Sequence, residues 1–249
     1  SLGWMVTYSK DLVEQKGHMK NDVMGTGPFK FKRYTPGISV EHVKFPDYFV
    51  KGRPYLDGIT FYIIKDASTR LAALRTGQVK QSGLETGGLS PSDAETLKKT
   101  GSQVRAVPYN GLRFASFIVN TQQQPWSDAR VRKAVHLAVD RQAAIIVLEQ
   151  GYGELGSSFP GQWGIPKDEL MKMPGYRQPK DADIAEAKRL LAEAGYPNGF
   201  KATMLVRAGR DYQNMGVFMA DQLAKIDIKL DLDVKESAMR TALLNQGNY

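Results

Sequence analysis

Apolar and polar positions change period several times along this chain, and the changes mark out its elements. Phe29 to Tyr34 alternates as a strand does, Thr35-Pro36-Gly37 is a turn signal, and Ile38 to Phe45 returns as a second strand. Ile59 to Ile64 predicts a third strand. Before the hairpin, a short helix is expected from Ser9 to Lys16. After it, Asp66 can cap a helix bearing Leu71 and Leu74 that closes at Gly77, and Ser90-Pro91-Ser92-Asp93 opens another that runs to about Lys99. Gln103 to Val107 and Phe114 to Asn120 read as strands around a turn at Pro108-Tyr109-Asn110-Gly111.

The period then lengthens. Ser127 or Asp128 can cap a helix whose Val131, Ala134, Val135 and Ala138 share one face, with Arg130, Arg132 and Lys133 opposite. Asp140 can cap a second helix that ends against Gly151. The spacing implies two helices packing an apolar stripe on a sheet. A long segment from Tyr152 to Pro179 follows, carrying Pro160, Pro166, Pro174 and Pro179 among its glycines; long loops of this kind are usually functional or mobile. Asp183 reads as the cap of a helix with Ile184, Ala187, Leu191 and Ala194 on one face. Phe200 to Val206 is a strand, Tyr212 to Lys225 a helix, and Ile226, Ile228, Leu230, Leu232 and Val234 alternate strictly with polar residues. Strand–helix–strand predicts a right-handed parallel crossover, and a last helix begins near Ser237.

Composition narrows the class. With 249 residues, 42% apolar and 24% charged, the chain has ample material for a core, and no run of eighteen apolar residues suggests a membrane span. It opens Ser1-Leu2-Gly3-Trp4 without a signal peptide, as a processed or excised piece would. Zero cysteines exclude disulfides, thiolate metal sites and cysteine nucleophiles. The net charge of +8 is dispersed, its densest runs (Lys30 to Arg33, Arg130 to Lys133) are short, and no nucleic-acid motif accompanies it, so a solvated basic surface is expected.

Chemistry is sparse. Of the three histidines only His136 has a partner at helical spacing, Asp140, and a metal site wants three or four ligands, so no metal is expected. Nucleophile motifs are missing, and no acid–base pair can be nominated, so no catalytic residue is assigned. Gly25-Thr26-Gly27-Pro28 leads into a hairpin rather than a helix, which argues against a phosphate loop. No cofactor is implied. A binding site needs aromatic faces with a few fixed polar groups, and the loop from Gly151 to Gly164 supplies them. Gly156, with Ser157 beside it, lets backbone approach a ligand, and Phe159 and Trp163 either stack on it or pin the loop by their own burial. The second candidate is Arg207 or Arg210, just past a strand and before a helix, where an anion is favoured. Each is equally readable as a surface arginine. Tyr109 and Asn110, at the earlier turn, complete the candidate ligand set.

The wording of several stretches is more specific than their periods. A strand ending in Asn120, then Pro125-Trp126 and S-D-A-R-V-R-K-A-V-H-L-A-V-D-R, resembles the family 5 extracellular solute-binding proteins of ABC importers. So do G-T-G-P-F-K-F-K-R-Y, F-P-D-Y-F, R-P-Y-L-D-G-I-T-F-Y-I-I-K-D and the D-A-S-T-R unit at Asp66. Lys80 stands where that unit usually has an acidic residue, and Asp227 where the family usually has a turn glycine. The resemblance implies an α/β, two-lobed periplasmic-binding-protein-like fold of the large peptide-binding type (class II). The chain would be a fragment: residues 1–106 as part of lobe I and 107–249 as most of lobe II. It implies a non-enzymatic receptor that captures a peptide or similar small solute between its lobes and delivers it to an ABC permease and its ATPase. A monomer is expected, periplasmic, or extracellular and membrane-anchored in a Gram-positive host. In peptide-binding members a basic residue at the place of Arg207 or Arg210 meets the peptide's carboxyl end, and the loop after the second helix lies at the cleft. The alternatives are an enzyme of unknown class with an α/β cleft, and a basic adhesion or nucleic-acid module whose affinity would fall steeply with salt.

Overall fold

The computed structural model describes residues 9–17, 24–82, 89–100, 103–107, 116–156, 164–247 and 249. The chain divides into two compact units, Ser1–Ala106 and Val107–Tyr249.

The first unit is built on a three-stranded antiparallel sheet, β1 (Phe29–Thr35), β2 (Ser39–Lys44) and β3 (Gly58–Tyr62), in the order β1-β2-β3. The register runs from Phe29 opposite Lys44 to Thr35 opposite Ser39, with a bulge between Phe31 and Arg33. Val40 faces Phe61 on the far side. One side of the sheet stacks Phe31 and Phe61 edge-on against His42, and the other pairs Arg33 with Glu41. Helix α1 (Lys10–Lys16) is capped by Ser9, α2 (Ala67–Arg75) by Asp66, and α3 (Pro91–Lys99) by a Ser90–Asp93 capping box. The Asp66 and Ser90 caps fall where the sequence puts them.

The second unit holds the main core. Helices α4 (Ala129–Ala138) and α5 (Arg141–Glu149) form where expected, with Asp128 rather than Ser127 as the first cap and Asp140 as the second, but the apolar stripe of α4 packs mainly on helix α7 (Asp181–Glu193) rather than on a sheet, and no residue of α5 is buried. Next come α6 (Lys167–Leu170), α7 (Asp181–Glu193), β4 (Phe200–Arg207), α8 (Arg210–Ala224), β5 (Ile228–Lys235) and α9 (Ser237–Asn245). Strands β4 and β5 run parallel, Phe200 beside Ile228 through to Arg207 beside Lys235, as a strand–helix–strand crossover requires. Val131, Ala134, Leu137 and Ala138 of α4 are buried against Ala187 and Leu191 of α7, and Met219 and Leu223 of α8 join them with Ile228. At one end of this core Phe117, Trp126, Phe200 and Tyr196 form a run of edge-to-face contacts at 5.1 to 5.9 Å. The methionine-bearing face of α8 is thus core, and its buried Gln222 accepts the Asp140 backbone N–H at 3.0 Å.

Three further expectations need correction. The described parts of the two predicted strands, 103–107 and 116–120, form no ladder. Val107 and Ile118 are exposed and Phe117 packs edge-on against Trp126, and β propensity without a paired neighbour does not make a strand. Asp183 is not a helix cap. It lies inside α7, fully buried, with its oxygens directed at Arg177, Lys180 and the Gly175 N–H. The long glycine–proline segment is also not wholly irregular, since it contains the single turn α6.

Candidate functional site

The carboxyl ends of β4 and β5 bring together the basic residues that the sequence singles out. Arg207 closes β4 directly beside Lys235, which closes β5. The half-buried guanidinium of Arg207 donates to the Tyr212 hydroxyl at 3.1 Å and lies 5.0 Å from that ring's centre. Tyr212 thereby restricts the arginine to few of its rotamers, and a fork held in advance loses less entropy when it meets an anion. Lys235 is drawn instead toward Asp233 at 2.8 Å. Arg210 opens α8 beside Gly209, where no side chain among the described residues caps the helix; its own side chain is exposed, and among the described residues its one ion pair is a long 3.9 Å contact with Asp211. Arg207 is therefore the organised cation of the two, and Arg210 the loose one. A planar, oriented guanidinium at strand ends and a helix start can receive a carboxylate or another planar anion.

The glycine-rich loop is described at its beginning. Gly156 is exposed, and its carbonyl accepts from the Tyr176 hydroxyl at 3.4 Å. Ser157, Phe159 and Trp163 lie outside the described residues, as do Tyr109 and Asn110. Beside Gly156 is a depression of about 750 Å³ lined by Gln142, Ile145 and Ile146 of α5 with Leu155, Ile165 and Met171. No hydrogen bond or ion pair among the described residues joins Gly156 to Arg207 or Arg210, so the two candidate groups are separately built.

A third feature escapes sequence reasoning. The segment Met171 to Lys180 is fastened to the α4–α5 junction by a polar network. Arg141 donates to the carbonyls of Gly175 (2.7 Å) and His136 (3.1 Å) and to the His136 ring at Nδ1 (3.0 Å). The other ring nitrogen of His136, Nε2, meets the Pro174 carbonyl at 3.2 Å. Tyr176 packs on both, 5.8 Å from the His136 ring and 4.6 Å from the Arg141 guanidinium. Gly175 makes this approach possible: its φ is +89°, and a Cβ there would meet His136 Nε2 at 2.4 Å. Asp183 receives Arg177 at 2.6 Å, Lys180 at 2.8 Å and the Gly175 N–H at 2.9 Å. Burial alone would raise its carboxyl, but Lys180, the Gly175 amide and Arg177 outweigh burial and hold it below the usual carboxylate range. Desolvation and the Arg141 charge together push His136 below the usual histidine range.

The His136–Asp140 spacing, which suggested at most a weak metal pair, has another use. Asp140 Oδ1 takes the Gln142 and Ala143 amides and the Gln178 side chain. Among the described residues no group of three or more His, Cys, Asp or Glu could hold a metal ion. The local signal for the network was the Asp140-Arg141 pair between two helices. Its partners thirty-odd residues downstream had none.

In open α/β sheets the carboxyl ends of the strands are a favoured place for ligands, and Arg207 stands at such an end. The chain belongs to the bacterial extracellular solute-binding proteins of family 5, whose middle region matches residues 5–249. Among curated relatives it is 34% identical over 214 residues to heme-binding protein A of Haemophilus influenzae, covering 83% of this chain and 36% of that protein. Among solved structures it superposes on the PBP AgaA of A. tumefaciens R10 in complex with agropinic acid. That match has a TM-score of 0.67 and 30% identity over 96% of this chain and 47% of the other. It also superposes on the periplasmic binding protein DppA of Helicobacter pylori in complex with the peptide STSA, with a TM-score of 0.65 and 27% identity, covering 92% and 43%. The chain thus spans less than half the length of these proteins. Their fold is the two-lobed α/β periplasmic-binding type, of which it represents about half. Among the described residues no helix is long and apolar enough to cross a membrane.

Proposed function

We propose that the whole protein is the solute receptor of an ABC importer: it captures a peptide or similar small solute between two lobes and hands it to a membrane permease energised by an ATPase. Residues 1–106 would belong to the first lobe and 107–249 to the second. It would work as a monomer in the periplasm, or tethered outside a Gram-positive cell, and catalyse nothing. The relatives above are named for heme, agropinic acid and peptide binding, so the family alone does not choose the solute.

The observation that carries the reading is the Tyr212-held Arg207 at the carboxyl end of β4. It favours a solute that presents a carboxylate there, the free end of a peptide being the simplest. Trp163 and Phe159 would supply stacking faces, Gly156 and Ser157 backbone contacts, with Arg210, Tyr109 and Asn110 around them. The test is calorimetric titration of the complete protein with a panel of short peptides and organic acids, repeated with Arg207→Ala and Trp163→Ala. Each substitution should weaken binding without lowering the melting temperature. Unchanged affinity in both would remove the site assignment. An enzyme with an α/β cleft is the second reading; it predicts product formation from a bound solute, and no acid–base pair among the described residues favours it.

A further inference from the structure

Charge at the carboxyl ends of β4 and β5 is of both signs, and its arrangement bears on which solutes fit there. Helix α8 lies over the sheet face that carries Val206 and Leu232, since a Cβ on Gly216 would meet them at 3.1 and 3.3 Å. Side chains alternate along a strand, so Arg207, Lys235 and Asp233 fall on the opposite pleat. The Ala208 N–H donates to the Lys235 carbonyl at 2.7 Å, which holds Arg207 and Lys235 in register to the end of the ladder. Asp233 stands one strand over from Arg207 and two residues back, and its carboxylate meets Lys235 at 2.8 Å. Among the described residues no carboxylate pairs with Arg207, whose polar contact is the Tyr212 hydroxyl. Asp231, the next acid on this pleat, is two residues further from the strand ends.

The strand ends thus present two cations and one anion on this pleat, with the anion committed to the lysine. We propose that Asp233 is a specificity-determining residue. By holding Lys235 it leaves one free cation, so the site selects a solute end with a single carboxylate and disfavours an end with two. The inference rests on the reading that Arg207 receives the acid group of the solute.

One carboxylate on Arg207 brings this pleat to neutrality. A second carboxylate a few ångströms away, as on a C-terminal glutamate, reaches Lys235 only by displacing Asp233, which is then left unpaired beside it. Lys235 and Asp233 are 38% and 40% exposed, so exchanging one such pair for another gains little. The added like charge is repelled, and that repulsion is the selective element. Without the Asp233 charge, Lys235 becomes a point charge on a flexible stem, available to the second acid. A solute ending in a neutral side chain is indifferent to the exchange.

The experiment is calorimetric titration of the complete protein at low ionic strength and pH 7 with two alanyl-alanyl peptides, one ending in glutamine and one in glutamate. The wild-type protein should bind the glutamine peptide about threefold more tightly or better, the scale of an exposed charge interaction. Asp233→Asn should erase or reverse that order, and Asp233→Asn combined with Lys235→Met should not reverse it. The quantity read is the ratio of two affinities within each protein, so a general weakening of a variant does not imitate the effect. Equal binding by the wild type, a wild-type preference for glutamate, or a wild-type ratio retained by Asp233→Asn overturns the proposal. Arg207→Ala separates this outcome from the underlying reading. If it weakens the glutamine peptide while the wild-type ratio is one, only the inference fails. If it leaves that peptide's affinity unchanged, or if the wild type binds neither peptide, the reading of Arg207 fails and the inference falls with it.

Discussion

Gly199 and Asp227 meet backbone to backbone at the start of the parallel strand pair. Gly199 has φ +68°, and a Cβ on it would lie 1.8 Å from the carbonyl oxygen of Asp227, which itself adopts φ +62°. No rotamer relieves a clash with backbone. Gly199→Ala should cost more than about 2 kcal/mol of unfolding free energy, read by urea denaturation.

Asp227 is the reciprocal case. An aspartate in the left-handed region is tolerated but strained, and its 2.9 Å pair with Lys188 is solvent-exposed and worth little. Asp227→Gly should leave stability within about 1 kcal/mol of wild type, while the β-branched Asp227→Val should lower it by more than that. The glycine usual in the family at this place fits the same geometry.

Asp183→Asn removes the anion from a fully buried site while Arg177 and Lys180 remain. Breaking such a pair typically costs about 3–5 kcal/mol, and half that is expected here because Arg177 keeps partial access to solvent. Because the folded carboxyl titrates below its unfolded value of about 3.9, the stabilisation is complete above that pH and fades as pH falls beneath it. Denaturation series at pH 7 and pH 3 should show the wild-type and Asp183→Asn proteins converging at the lower pH.

Adjacent helices should respond oppositely to truncation. Leu137 in α4 is fully buried, and Leu137→Ala should cost about 2–5 kcal/mol. Val147 in α5 is 64% exposed, and Val147→Ala in the 249-residue chain should change stability by less than about 0.5 kcal/mol.

What was legible in the sequence was local. Asp66, Ser90, Asp128 and Asp140 cap helices through amides two or three residues away, so their roles are written into adjacent positions. The strict alternation of Ile228, Leu230 and Leu232 fixed β5, and the helix between two strands fixed their parallel pairing. Asp183 is ambiguous in the sequence because the same residue type serves as a cap or as a buried counter-ion. Which one depends on the path that brings Arg177 and Gly175 back to it. The segments 103–107 and 116–120 carry strand-forming residues, yet a strand is defined by a neighbour the sequence does not specify. Arg207 could be placed at a strand end from pattern alone. Its hold by Tyr212, five residues on across the turn into α8, could not, and that hold is what distinguishes it from Arg210.

The central claim, a receptor whose Arg207 receives the acid group of its solute, is tested most directly by native mass spectrometry of the complete protein as purified. One small molecule should remain bound per protein, should prove on release to carry a carboxylate, and should be largely lost from Arg207→Ala, as removal of a charge-assisted contact worth about 1.5–3 kcal/mol requires. A bare protein that peptides and organic acids also fail to stabilise against heat, or a bound solute retained equally by Arg207→Ala, would contradict it.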